Sequence, residues 1–123
     1  MGERIDNKPN ENRSTRLYED TRNALTDPAI PKIVKRALDT LLEVHPRYLN
    51  EAQKNSSLSQ QHQPPDYTKE KHLAEEMCEL STQVSHYVQS RSGRNRNFDL
   101  VEAASGYEQA VLAAQTRLGR MSN

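Results

Sequence analysis

The chain lacks tryptophan and has one phenylalanine and one cysteine among its 123 residues. Leucine, isoleucine, valine and phenylalanine together account for only about 18% of it. So small an apolar fraction is common in disordered chains, but those usually carry a high net charge, and here the net charge is zero. We therefore expect part of the chain to fold around a lean core, which burial against a partner or a second copy would stabilise.

Paired cysteines and long apolar runs are also missing. Cys78 has no second cysteine with which to form an intramolecular disulfide, and the N-terminal residues lack the apolar stretch of a secretory signal. No segment approaches the roughly 18 consecutive apolar residues of a membrane span. These absences predict a cytoplasmic protein that does not associate with membranes.

Residues arranged for catalysis or for metal binding are absent from the sequence pattern. There is no HExxH or CxxC motif, and the four glycines form no phosphate-binding loop. His72 precedes Glu75 and Glu76 at helical spacing, an arrangement that usually reflects charge pairing on a helix surface rather than a metal site. Ser85 and His86 are adjacent and point to different faces of a helix, so they cannot form a dyad. We expect no enzymatic activity, no cofactor and no metal.

The first half of the chain predicts a tail and two helices. Residues 1–13 are polar and aperiodic, which indicates a disordered tail ahead of a single helical domain at 14–123. A short first helix is predicted at about 15–26, and Asp27 with Pro28 would begin a second helix that ends near Lys54. Pro46 should end or kink that helix, because it removes one backbone hydrogen bond. A mobile linker is predicted at about 55–66.

The second half of the chain predicts a long antiparallel helical hairpin at about 67–91 and 99–121. Apolar residues recur every three or four positions in both segments, as in coiled-coil packing. Folding the chain back at 92–98 pairs large side chains mostly with small or medium ones, as close packing requires. The predicted pairs are Tyr87 with Ala104, Val84 with Tyr107, Leu80 with Val111, Met77 with Ala114, and Leu73 with Leu118. The fold class is therefore all-α, a small bundle of three to four helices.

The apolar stripe of the second helix is wider than one hairpin groove would cover. We therefore expect a non-catalytic protein–protein interaction module, such as an adaptor, small chaperone, inhibitor or assembly subunit. Its partner would be another protein or a second copy, so a homodimer is plausible. The predicted partner-binding residues are Ile30, Ile33, Leu38, Leu42, Tyr48 and Leu49.

The segment SRSGRNRN at 90–97 supports an alternative function. Its glycine and asparagines suit a turn between helices, yet Arg91, Arg94 and Arg96 could also hold a phosphate or carboxylate. This alternative is an accessory nucleic-acid-binding protein that uses the basic loop 91–96. It is less favoured, because seventeen basic and seventeen acidic side chains balance along the chain.

Overall fold

Four helices make up the computed structural model, which describes residues 9–90 and 97–121, with side chains from Thr15 onward. The helices are α1 (Pro9–Leu25), α2 (Lys32–Gln60), α3 (Thr68–Ser90) and α4 (Phe98–Met121). The described residues contain no strand, so the predicted all-α fold is confirmed. None of these helices combines the length and the apolar character needed to cross a bilayer.

The helices form a ring in which each one packs against two neighbours. Helices α2 and α4 lie diagonally opposite, and each contacts both α1 and α3. This explains the wide apolar stripe of α2, because a helix between two neighbours must bury two sides. Helix α1 is much shorter than α2, so the bundle has four helices at one end and three at the other.

The α3–α4 hairpin agrees with the prediction. Ser85 Oγ donates a hydrogen bond to Glu108, and Gln115 Nε2 lies 3.7 Å from Cys78 Sγ. The second contact lies seven residues earlier on α3 and seven residues later on α4 than the first. The two helices are therefore antiparallel. Ser85 and Glu108 each follow one member of the predicted pair Val84–Tyr107, which fixes the register close to the predicted one. The seam residues of both helices are buried or half-buried.

Helix α1 begins earlier than predicted. It starts at Pro9, where a missing N–H costs nothing because the first amides of a helix have no internal partner. The predicted disordered tail therefore overlaps a helical backbone at 9–13, and its remainder, 1–8, lies outside the described residues. Near the middle of α4, Gly106 lets α1 approach closely, because a Cβ at this position would meet Leu17 Cδ1 at 2.6 Å.

Helix α2 begins later than predicted, at Lys32. Asp27 Oδ1 accepts a hydrogen bond from the N–H of Ala29 at 2.9 Å, which caps a turn rather than the helix. The reason lies in Pro31, because a residue that precedes proline is disfavoured in the helical conformation. Ile30 therefore cannot continue a helix from Pro28, and α2 forms only after the second proline.

Helix α2 also ends later than predicted. It runs through Pro46 and reaches Gln60, so residues 55–60 of the predicted linker are helical. Two backbone hydrogen bonds close its C-terminus, from Gln63 to Leu58 at 2.8 Å and from His62 to Ser59 at 3.0 Å. His62 has a φ of 61°, the left-handed conformation that this type of helix end requires.

Helix α4 begins at Phe98 and is capped by Asn97. Asn97 Oδ1 accepts a hydrogen bond from the N–H of Leu100 at 3.0 Å, and its Nδ2 donates to Asp27 Oδ2 at 2.9 Å. The second bond ties the start of α4 to the α1–α2 connection. The bond from Asn97, followed by the one from the N–H of Ala29, holds the pKa of Asp27 below its usual value.

Candidate functional site

A buried carboxylate closes the three-helix end of the bundle. Glu70 on α3 is fully buried, and each of its oxygens has two donors within reach. Oε2 accepts from Arg117 Nε at 2.7 Å and from Tyr48 Oη at 3.0 Å, while Oε1 accepts from Asn55 Nδ2 at 3.0 Å. Arg117 Nη2 lies 3.4 Å from Oε1. This Glu70 cluster joins α2, α3 and α4.

Arg117 extends the Glu70 cluster across to α2. Its Nη1 donates to Ser56 Oγ and its Nη2 to the carbonyl oxygen of Ala52, each at 3.0 Å. Burial raises the pKa of Glu70, but the hydrogen bonds from Arg117, Asn55 and Tyr48 outweigh it, so the pKa lies below its usual value. The same carboxylate raises the pKa of Arg117. The cluster is therefore a satisfied ion pair with a structural role, and its carboxylate is closed to solvent.

A second buried polar group, the His45 cluster, lies where α1, α2 and α4 meet. His45 Nδ1 lies 2.6 Å from Tyr18 Oη, and its ring makes edge contacts with Tyr18 and Tyr107. Tyr107 Oη lies 2.9 Å from Thr21 Oγ1, which also donates to the carbonyl oxygen of Leu17. Burial lowers the pKa of His45 to about 4 and raises the pKa of Tyr107 to about 12. Both side chains are therefore neutral near pH 7.

His45 is also part of the wall of an open groove between α1, α2 and α4, with a volume of about 540 Å³. The groove is lined mainly by apolar or small side chains, together with carboxylates at one end. Its apolar and small lining residues are Leu17, Leu49, Gly106, Ala110 and Ala113. Leu49 is 41% exposed, although it is a large apolar side chain. This α1–α2–α4 groove is a surface on which an apolar ligand or side chain can be buried.

The predicted partner-binding residues are divided between the core and the surface. Ile30, Leu38 and Tyr48 are buried within the chain, which corrects the prediction for these three, because a side chain in this core cannot face a partner. Leu42 is half-buried. Ile33 is 67% exposed, and Leu49 borders the groove. The surface that can contact a partner is therefore narrower than the sequence indicated.

The residues of the alternative function and the candidate metal and catalytic residues of the sequence have separate outcomes. Arg91, Arg94 and Arg96 lie outside the described residues, so nucleic-acid binding by the basic loop stays a prediction. The described residues include no group of three or more His, Cys, Asp or Glu side chains arranged to hold a metal ion. Ser85 is buried and bonded to Glu108, whereas the neighbouring His86 is exposed on another face of α3.

The sequence analysis missed both buried polar clusters, although the spacing held a signal. Glu70 precedes the seam residue Leu73 by three positions, and Arg117 is adjacent to the seam residue Leu118. His45 follows the buried Leu41 by four positions, which places it on the core face of α2. A charged or polar residue in phase with an apolar seam indicates a buried polar contact.

No protein-family model, curated protein or solved structure matches the chain in sequence or in fold. What the chain does is therefore inferred from its own residues.

Proposed function

We propose that the chain is a non-catalytic protein–protein interaction module that binds its partner in the α1–α2–α4 groove. The observation that carries this proposal is Leu49, a leucine that remains 41% exposed at the edge of an open groove with small, apolar walls. An apolar side chain of a partner that displaces water from this surface stabilises the complex, because apolar area is removed from water. The groove runs alongside α1, and Leu17 of α1 forms its wall opposite Leu49 of α2.

The chemistry of the groove supports binding rather than catalysis. His45, the imidazole in its wall, already contacts Tyr18, and burial keeps this imidazole neutral. Glu70 is enclosed by its donors and does not line the groove. We further propose that the protein acts in the cytoplasm, where its single cysteine would stay reduced.

The proposal is tested by placing a photocrosslinking amino acid at Leu49 and, as a control, at the exposed Gln83 on α3. In an extract of the native source, we expect a discrete crosslinked protein from position 49 and none from position 83. Ala110→Trp would fill the groove and should abolish the crosslink, whereas Gln83→Trp should not. Equal crosslinking from both positions, or crosslinking that survives Ala110→Trp, would reject the groove as the binding site. Circular dichroism checks that both variants fold.

A further inference from the structure

The outer face of α4 borders the groove and shares Glu102, Ser105, Gln109 and Ala113 with it, but it extends beyond the groove to Leu112 and Arg120. It lies opposite the buried seam, and no described helix packs along it, because α4 packs its backbone against α1 and α3 and reaches α2 through side chains such as Arg117. Leu112 at its centre is 64% exposed. The residues of this outer face recur every one to four positions along α4, and all of them are exposed. They are Glu102, Ser105, Gln109, Leu112, Ala113, Thr116 and Arg120.

The two ends of this face have opposite charge. Glu102 lies near Asp20 and Asp99. Burial, followed by repulsion from Asp99 and Glu102, raises the pKa of Asp20, although Arg16 acts in the opposite direction. Arg120 lies at the other end. Within the described residues, neither Glu102 nor Arg120 forms an ion pair. They are eighteen residues apart on one helix, which is about 27 Å at 1.5 Å per residue, so they cannot meet within one chain.

The arrangement is self-complementary. Val111 lies midway, with Glu102 and Arg120 nine residues away on either side. If a second copy of α4 runs antiparallel about a two-fold axis near Val111, each Glu102 lies opposite Arg120 of the other copy. In this register the two Leu112 residues are offset by only about 3 Å along the helix axis, so their side chains can contact each other. Glu102 and Arg120 are five helical turns apart and share one side of the helix, so both ion pairs form in one register.

We propose that the chain forms a symmetric homodimer through antiparallel pairing of the outer faces of α4. The small side chains of Ser105 and Ala113 let the two helices approach closely, and the paired Leu112 side chains are removed from water. A parallel arrangement is disfavoured, because it would set Glu102 against Glu102 and Arg120 against Arg120. This dimer does not depend on the proposed function of the groove.

The interface is small and largely polar, so the association belongs with weak, reversible complexes. We expect sedimentation equilibrium, at protein concentrations from about 10 µM to about 1 mM, to show a monomer–dimer equilibrium. Glu102→Arg makes both symmetric ion pairs repulsive and should raise the dissociation constant by about tenfold or more. Arg120→Glu should have the same effect. The double variant Glu102→Arg/Arg120→Glu should return the dissociation constant to near that of the unsubstituted chain.

Two controls separate this interface from other sites. Glu79→Arg makes the same charge change on the exposed surface of α3 and should leave the equilibrium unchanged. Leu49→Lys changes the α2 wall of the groove, which the pairing of two α4 helices does not use, and should leave dimers intact, so failure of the groove proposal and failure of this one are distinguishable. Leu112→Lys should abolish the dimer without changing the circular dichroism spectrum.

Three outcomes would overturn the proposal. The first is a monomer throughout the concentration range. The second is a dimer that Leu112→Lys leaves intact, since the chain would then use another surface. The third is a double charge reversal that does not recover association, because recovery requires Glu102 to face Arg120 of the other copy.

Discussion

Arg117 Nε donates a hydrogen bond to Glu70 Oε2 at 2.7 Å, and this contact connects the last turns of α4 to the first turn of α3. It lies at the end of the bundle where three helices pack. Because Arg117 also reaches Ser56 and the carbonyl of Ala52, one side chain links α4 to both α2 and α3. The closure of this end therefore depends on a charged side chain as well as on apolar packing.

Arg117→Met should lower the free energy of unfolding by about 3–5 kcal/mol near pH 7, because it leaves the Glu70 carboxylate buried without its cation. Urea unfolding followed by circular dichroism measures the loss. The deficit should shrink as the pH falls, because burial without a cation raises the pKa of Glu70 and its protonation then removes the unpaired charge. In the unsubstituted chain the effect of pH on stability has the opposite sign. The pKa of Glu70 is lowered there, so its stabilising contribution is lost as the pH falls and the carboxylate protonates.

Glu70→Gln combined with Arg117→Met completes a double-mutant cycle for this pair. The double variant should be more stable than Arg117→Met alone, because no charge is then left buried. If Arg117→Met costs less than about 1 kcal/mol at neutral pH, the pair resembles an exposed salt bridge and the interpretation is wrong.

The stability of the protein should fall by roughly 2 kcal/mol between about pH 7 and pH 5 because of His45. Its pKa is about 4 in the folded chain, against an ordinary value of 6.5. Within this window the unfolded chain binds a proton that the folded chain excludes, so unfolding is favoured as the pH falls. Thermal or urea unfolding at several pH values measures the slope.

His45→Phe should remove most of that pH dependence, whatever its effect on the stability at neutral pH. His86, exposed on α3, supplies the matched control, and His86→Gln should leave the slope unchanged. A slope that persists in His45→Phe would place the titrating group elsewhere.

His62→Gly should stabilise the fold by about 0.5–1 kcal/mol. The φ of 61° at His62 suits glycine, which has no Cβ to oppose the left-handed conformation. His62→Ala keeps a Cβ and should give no gain. Equal urea midpoints for the glycine and alanine variants would contradict this explanation of the helix end.

Nucleic-acid binding by the basic loop can be separated from the proposed function by its salt dependence. We expect no appreciable binding of a mixed-sequence oligonucleotide near physiological salt, because the chain has no net charge. Fluorescence anisotropy at several salt concentrations measures this. Binding that weakens steeply with salt and is lost in Arg94→Ala/Arg96→Ala would favour the alternative function instead.

The helical hairpin was predictable because the apolar repeats that specify it lie within two short segments of the sequence. The seams of α3 and α4 each repeat every three or four residues, and one turn sets the register of Val84 against Tyr107. The ends of α2 were not predictable in the same way. Pro46 marks a break by propensity alone, but packing on both sides keeps the helix continuous, and Asn55 belongs to it because Glu70 receives its amide hydrogen bond.

The candidate site was predicted less well than the fold. Leu49 and Leu38 were both predicted to face a partner, but Leu49 keeps exposed surface and Leu38 is buried. The sequence of one helix does not show which side of a wide apolar stripe a neighbouring helix covers. The groove depends on the close approach of α1 to α4 at Gly106 and on the position of Leu49 of α2 across from them. Both are relations between distant segments, which periodicity within one segment does not contain.

The hydrogen bond from Asn55 to Glu70 also bears on chemical ageing. Asparagine followed by serine is prone to deamidation, in which the next backbone nitrogen attacks the side-chain amide. In the folded chain the helical backbone and the bond to Glu70 hold the Asn55 amide away from the nitrogen of Ser56. Material that has aged while unfolded would carry an aspartate at this position, and two carboxylates would then compete for one buried space. Deamidation of Asn55 in the unfolded state would therefore hinder refolding.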